Sequence, residues 1–68
     1  MEEFIDDLED MILSIRFSGN DLETAGEMLE SPRELVRKRE AVAMRKLRRA
    51  GYSDAEIREF FTGRGGRG

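Results

Sequence analysis

A chain of 68 residues allows one small domain with a thin core, because such a length hides only about 60% of its unfolded surface. Charged residues make up 40% and hydrophobic ones 38%, and there is neither cysteine nor histidine, which removes disulfides, the usual metal ligands and the commonest general base. No stretch reaches the ~18 apolar residues of a membrane span and the acidic N-terminus is unlike a secretory signal, so the expectation is a soluble cytoplasmic protein with no metal, cofactor, small-molecule ligand or membrane partner.

In chain order, Phe4, Ile5, Leu8, Met11, Ile12 and Ile15 recur at helical spacing and predict an amphipathic helix over 2–17. Ser18-Gly19 ends it, with Gly19 suited to a left-handed stop. Asn20-Asp21-Leu22-Glu23 has capping-box form, with Asn20 as the cap, and predicts a short second helix to about Glu30. Gly26 weakens that helix by about 1 kcal/mol relative to alanine. Ser31-Pro32-Arg33-Glu34 is a start signal with serine as cap, proline in the first turn and glutamate at the third position. The third helix then runs to Ala50 and stops at Gly51. Ser53-Asp54-Ala55-Glu56 repeats the box and opens a last helix through Phe61, ended by Gly63. The expected fold is all-α, a three- to four-helix bundle over 1–62 with a helix-turn-helix-like C-terminal half. Residues 63–68 form a Gly/Arg tail with nothing to bury, expected to be disordered.

Charge is divided along the chain. Residues 1–30 hold ten acids and one base, Arg16, whereas residues 31–68 hold eleven bases and five acids. On the third helix Leu35, Val36, Val42, Ala43, Leu47 and Ala50 share an arc. Arg33, Arg37, Lys38, Arg45, Arg48 and Arg49 lie on the other side, with Glu34 the acid among them. Arg39 and Lys46 fall inside the apolar arc, where their stems would cover the core edge and their heads reach water. Glu2, Glu3, Asp6, Asp7, Glu9 and Asp10 lie opposite the stripe of the first helix. If both stripes face one core, the two charged faces point apart and cannot quench each other within one molecule except at their edges. Leu13 and Phe17, on the acidic side of the first helix, would pack on the second helix or anchor a partner. Met44 lies among the arginines.

The stretch "AVAMRKLRRAGYSDAEIREFF" has the cadence of a helix-turn-helix entry, which any αα-hairpin shares. Ser53-x-x-Glu56-Ile57-x-x-x-Phe61-x-Gly63-Arg64 resembles the C-terminal DNA-binding domain of the bacterial chromosomal replication initiator. That resemblance implies a helix-turn-helix on duplex DNA, with Arg64 as the residue able to inherit a contact. Thr62 stands where that family has glycine, and Gly65-Gly66 replace its Asp-His, so the base-reading helix that should follow is missing.

The expected function is a small nucleic-acid-associated regulator of the phage, plasmid or archaeal kind, and not an enzyme. Arg33, Arg37, Lys38, Arg45, Arg48, Arg49, Arg64 and Arg67 would contact phosphates, giving strong salt dependence and weak sequence preference. Asp6, Asp10, Leu13 and Phe17 would meet a protein partner. The alternative is an interaction module that oligomerises, or that docks on and inhibits a larger machine through its acidic helix.

Overall fold

The computed structural model describes residues 5–65, and among them every regular element is a helix. In chain order these are α1 (Asp7–Phe17), α2 (Leu22–Leu29), α3 (Arg33–Arg49) and α4 (Asp54–Gly65). Their starts and stops follow from side-chain chemistry, although not always from the residues first expected. Asp6 and Glu9 form a reciprocal capping box on α1, each side chain accepting from the other's backbone amide at 2.8 and 3.1 Å. The helix therefore begins at Asp7 and not at residue 2. For α2 the cap is Asp21, which accepts from the Thr24 amide at 2.8 Å. Asn20, the expected cap, instead donates from its amide to the Ile15 carbonyl and closes the end of α1.

Ser31 does not cap α3 either. Its amide donates to Gly26 O at 2.8 Å and its hydroxyl to Leu29 O at 3.2 Å, so it finishes α2 and leaves Pro32 at the cap position with no side-chain bond. Two expectations hold here: Gly19 and Gly51 have φ of 107° and 105°, the positive values that spare a Cβ. The Ser53–Glu56 box on α4 also forms, at 2.8 and 3.1 Å. Gly63 does not stop α4, which continues to Gly65.

α1 lies between two apolar clusters. Ile12 packs with Ala25 of α2 and Val36 of α3, edged by Leu8, Ile15, Leu22 and Leu29. Ile5 and Leu13 pack with Ala43 and Leu47 of α3 and Ile57 and Phe61 of α4. Leu13 is fully buried, and the Phe17 ring stacks on Phe61 with centroids 6.0 Å apart. Leu13 is therefore closed to a partner, which corrects the expectation for it, and Phe17 is half-buried against the α4-side cluster. The cause is α4: by covering the far side of α1 it turns that helix, so Leu13 goes in and Met11 is left 49% exposed. Met44 likewise packs on the α4-side cluster, whereas Leu35, expected inside, is 39% exposed.

Candidate nucleic-acid interface

Three residues, Glu30 to Pro32, join α2 to α3. Glu30 adopts a left-handed conformation at φ 53°, ψ 44°, and it is the one non-glycine residue with positive φ among the described residues. Its amide donates back to Glu27 O and Gly26 O, so the chain reverses within a single turn. Gly26 makes the approach feasible: a Cβ there would lie 2.7 Å from the Ser31 carbonyl oxygen. A tight reversal over a glycine, between two helices sharing the Ile12–Ala25–Val36 cluster, is the geometry of a helix-turn-helix pair.

Packing holds Val36, Ala43 and Leu47 of α3 inward. Arg33, Arg37, Lys38, Arg45, Arg48 and Arg49 are all exposed, as expected of them. Arg37, Arg45 and Arg48 come together with Arg16, Glu40, Ala41 and Met44 around an open cleft of about 530 Å³. Arg33 lines a neighbouring cleft with Arg16, Asp21, Leu22 and Glu23. Two of the cations are tied locally. Arg37 donates twice to Glu34, at 2.6 and 3.1 Å, which holds the Glu34 carboxyl below the usual carboxylate range. Arg48 donates to both oxygens of Asp54, at 2.8 and 3.3 Å, which lowers the Asp54 carboxyl in the same way. Arg33, Lys38, Arg45 and Arg49 make no ion pair among the described residues. Arg67 lies outside the described residues, as does the side chain of Arg64.

The acidic and basic halves do meet, through the two cations of the apolar arc and not through the basic face. Lys46 Nζ reaches both oxygens of Glu9, at 3.0 and 3.1 Å, and Arg39 lies 3.9 Å from Asp6. Arg16 donates to Glu40 at 3.0 Å and to the Asn20 carbonyl at 2.7 Å. Glu9 is completely buried and not on a solvated face. Because α1 is enclosed from two sides, its capping glutamate points inward, where the misplaced cation Lys46 satisfies it. Arg39 and Lys46 thus bind α3 to α1. Of the four partner candidates, Asp6 is exposed but occupied by Glu9 and Arg39, and Asp10 is half-buried.

Reasoning from sequence missed Arg16, which lines both clefts, and the Glu9–Lys46 pair. The Asp-x-x-Glu spacing at 6–9 was a readable capping signal for the latter.

The family model described as sigma-70, region 4 matches residues 5–49, from the residue before the Asp6 cap to the last residue of α3. No curated protein and no solved structure gives a significant match. Residues 53–64, which carry the likeness to the replication initiator, lie beyond the matched segment and gain no support from it. Inside that segment the two helices joined by the three-residue turn are α2 and α3, with α3 the second of the pair. The chain belongs to the sigma-70 region 4 family of helix-turn-helix DNA-binding domains.

Proposed function

We propose that this chain is a small DNA-binding regulator that lays α3 in the major groove of duplex DNA. The observation that carries the reading is the position of α3: last of the three helices in the matched segment and second of the pair joined by the three-residue turn, with its unburied side rich in cations. In a helix-turn-helix the first turns of the second helix face base edges, while the helix before it crosses the backbone. Arg33, Glu34, Arg37 and Lys38 occupy those first turns. Arginine matches the O6/N7 edge of guanine and glutamate accepts from the cytosine amino group, so α3 brings the means of sequence preference that the C-terminal half lacked. Arg45, Arg48 and Arg49, farther along, suit phosphates, which supply affinity without sequence information. Of the carboxylates in the two clefts beside α3, Glu40 accepts from Arg16 and Asp21 caps α2. The place of action in this reading is the cytoplasm, on the DNA of a phage, plasmid or cell that uses the domain as a regulator.

Titration of a labelled duplex at several salt concentrations tests this directly. Log affinity should fall linearly with log salt, at about 0.9 per phosphate neutralised. Reversing Arg45, Arg48 and Arg49 to glutamate should abolish binding while helical circular dichroism is retained. An absence of binding at the lowest salt, or salt-independent binding, contradicts the proposal.

A further inference from the structure

Arg16 is the one base of residues 1–30, yet folding sets it among the cations of the other half. It stands in the last turn of α1 and lines the cleft of about 530 Å³ whose other cations, Arg37, Arg45 and Arg48, all come from α3. Two bonds fix its guanidinium: Nε donates to Glu40 of α3 at 3.0 Å, and Nη1 to the Asn20 carbonyl at 2.7 Å. The two side chains of the Arg16–Glu40 pair are only 29% and 23% exposed, whereas in the Arg37–Glu34 and Arg48–Asp54 pairs every side chain is more than half exposed. A guanidinium carries five N–H donors, so Arg16 keeps further donors on the wall of the cleft, in a side chain with little freedom left to lose on binding.

The opposite wall follows from spacing. Arg37, Ala41 and Arg45 succeed one another at four-residue steps and Arg48 comes three later, which puts them on one side of α3. Ala41, in the middle, has only a methyl group and lets a ligand come close to the helix. Among the described residues Glu40 is the one carboxylate lining this cleft, against four guanidinium groups. Phosphate oxygens match the arginine fork, and a cleft beside the helix that enters the groove is where a flanking strand passes. Resting on the DNA-binding reading above, we infer that this cleft seats one phosphate of the DNA backbone, held jointly by Arg16 of α1 and Arg45 of α3. Arg45 makes no ion pair among the described residues and takes the phosphate directly. Arg16 keeps Glu40 and binds with its remaining N–H groups. Arg48 joins them by releasing Asp54, since exposed pairs are weak. A phosphate gripped from two helices fixes how the α1–α3 unit is oriented on the backbone, which is the part phosphate contacts play.

The test takes a duplex selected from a random pool by the full unaltered chain and replaces its phosphates one at a time by methylphosphonate, which removes the charge. The unaltered chain, Arg16→Gln and Arg45→Gln are titrated on the whole set. One phosphate should emerge whose neutralisation weakens the unaltered chain roughly tenfold and weakens either variant little further. Arg16→Gln also strips Glu40 of its partner, so a second readout needs no change at Arg16. The Arg16 Nε–H resonance of the unaltered chain should shift when the ordinary duplex binds, and much less at saturation with the duplex neutralised at the phosphate that Arg45→Gln identifies. If Arg16→Gln loses its helical circular dichroism, this resonance decides. The inference is overturned if the two folded variants point to different phosphates, if Arg45→Gln points to none, or if the resonance ignores that neutralisation; the DNA-binding reading then stands. Failure of the unaltered chain to bind any duplex overturns that reading, and the inference with it.

Discussion

Glu30 holds φ at 53°, a conformation that costs an L-residue roughly 1–2 kcal/mol and glycine almost nothing sterically. Glycine loses more entropy on folding, by about 0.5–1 kcal/mol, so Glu30→Gly should stabilise the domain by a net amount of up to about 1 kcal/mol. In thermal melts that is a rise of roughly 4–8 °C per kcal/mol for a domain of this size; a lower Tm would show that the side chain contributes to the turn. Four residues earlier the sign reverses. The atom that a new Cβ at Gly26 would meet, Ser31 O at 2.7 Å, is backbone and cannot swing away. Gly26→Ala should therefore destabilise by about 1 kcal/mol or more, despite alanine's better helix propensity. In the sequence Gly26 reads as a weak point in a short helix; its purpose appears only when the turn folds back over it.

Glu9 offers a comparison of magnitudes at the same scale. Its side chain is 1% exposed and both oxygens accept from Lys46, whereas the Arg39–Asp6 pair is 3.9 Å long with both partners about half in water. Removing one member of a buried pair leaves an uncompensated charge, at about 3–5 kcal/mol, and an exposed pair is worth about 0–1 kcal/mol. The Lys46 head is partly solvated, so Lys46→Met should cost about 2 kcal/mol, and Arg39→Met less than about 1 kcal/mol. Chemical denaturation of the two variants checks the order, and equal losses would contradict it. Counting positions around a helix placed Glu9 outside, because that count knows one packing partner and not two.

At the scale of elements, the sequence showed best where punctuation is local. Gly19, Gly51 and the Ser53–Glu56 box do what their spacing predicts, since each needs only its immediate neighbours. Caps failed where two candidates adjoined: Asn20 against Asp21, and Ser31 against Pro32. In both cases the preceding helix took one residue to close its own end, a competition decided by the turn. The orientation of α1 was hidden for a different reason. Its wheel admits several faces, and only the docking of α4 through Ile57 and Phe61 selects the one with Leu13 inside. The turn inside the family segment was hidden in a similar way: the glycine turn before α4 is conspicuous in sequence, while the α2–α3 turn uses a glutamate and looks like an ordinary gap.

Helix ends also set the acid response. Asp21, Glu34 and Asp54 have carboxyls lowered by the Thr24 amide, Arg37 and Arg48 respectively. A group that is more acidic in the folded chain than in the unfolded one adds stability above its unfolded pKa and loses it as pH falls through its folded pKa. Melting temperature should therefore be level near neutrality and decline through and below the ordinary carboxylate range. Asp54→Asn should flatten part of that decline, measured as Tm against pH. A decline that is unchanged in this variant would remove the Arg48–Asp54 pair from the account.

For the whole molecule, the division into acidic and basic halves is real in sequence but partly consumed by folding. Three pairs, Glu9–Lys46, Asp6–Arg39 and Glu40–Arg16, join the halves across α1 and α3. What is left over is arranged as the linear charge count could not show: cations along the outer side of α3, acids around α2. The C-terminal α4 lies beyond the family segment, yet supplies Ile57 and Phe61 to the larger cluster and Asp54 to Arg48. It braces the unit and, on this account, does not touch bases. Backbone amide chemical shifts of the isotope-labelled chain, followed by NMR during titration with duplex DNA, separate these roles. The largest changes should fall at the start of α2 and along residues 33–49, with residues 55–62 nearly unmoved. Changes centred on the α3–α4 turn and α4, with residues 33–38 silent, would contradict the assignment of α3 as the reading helix.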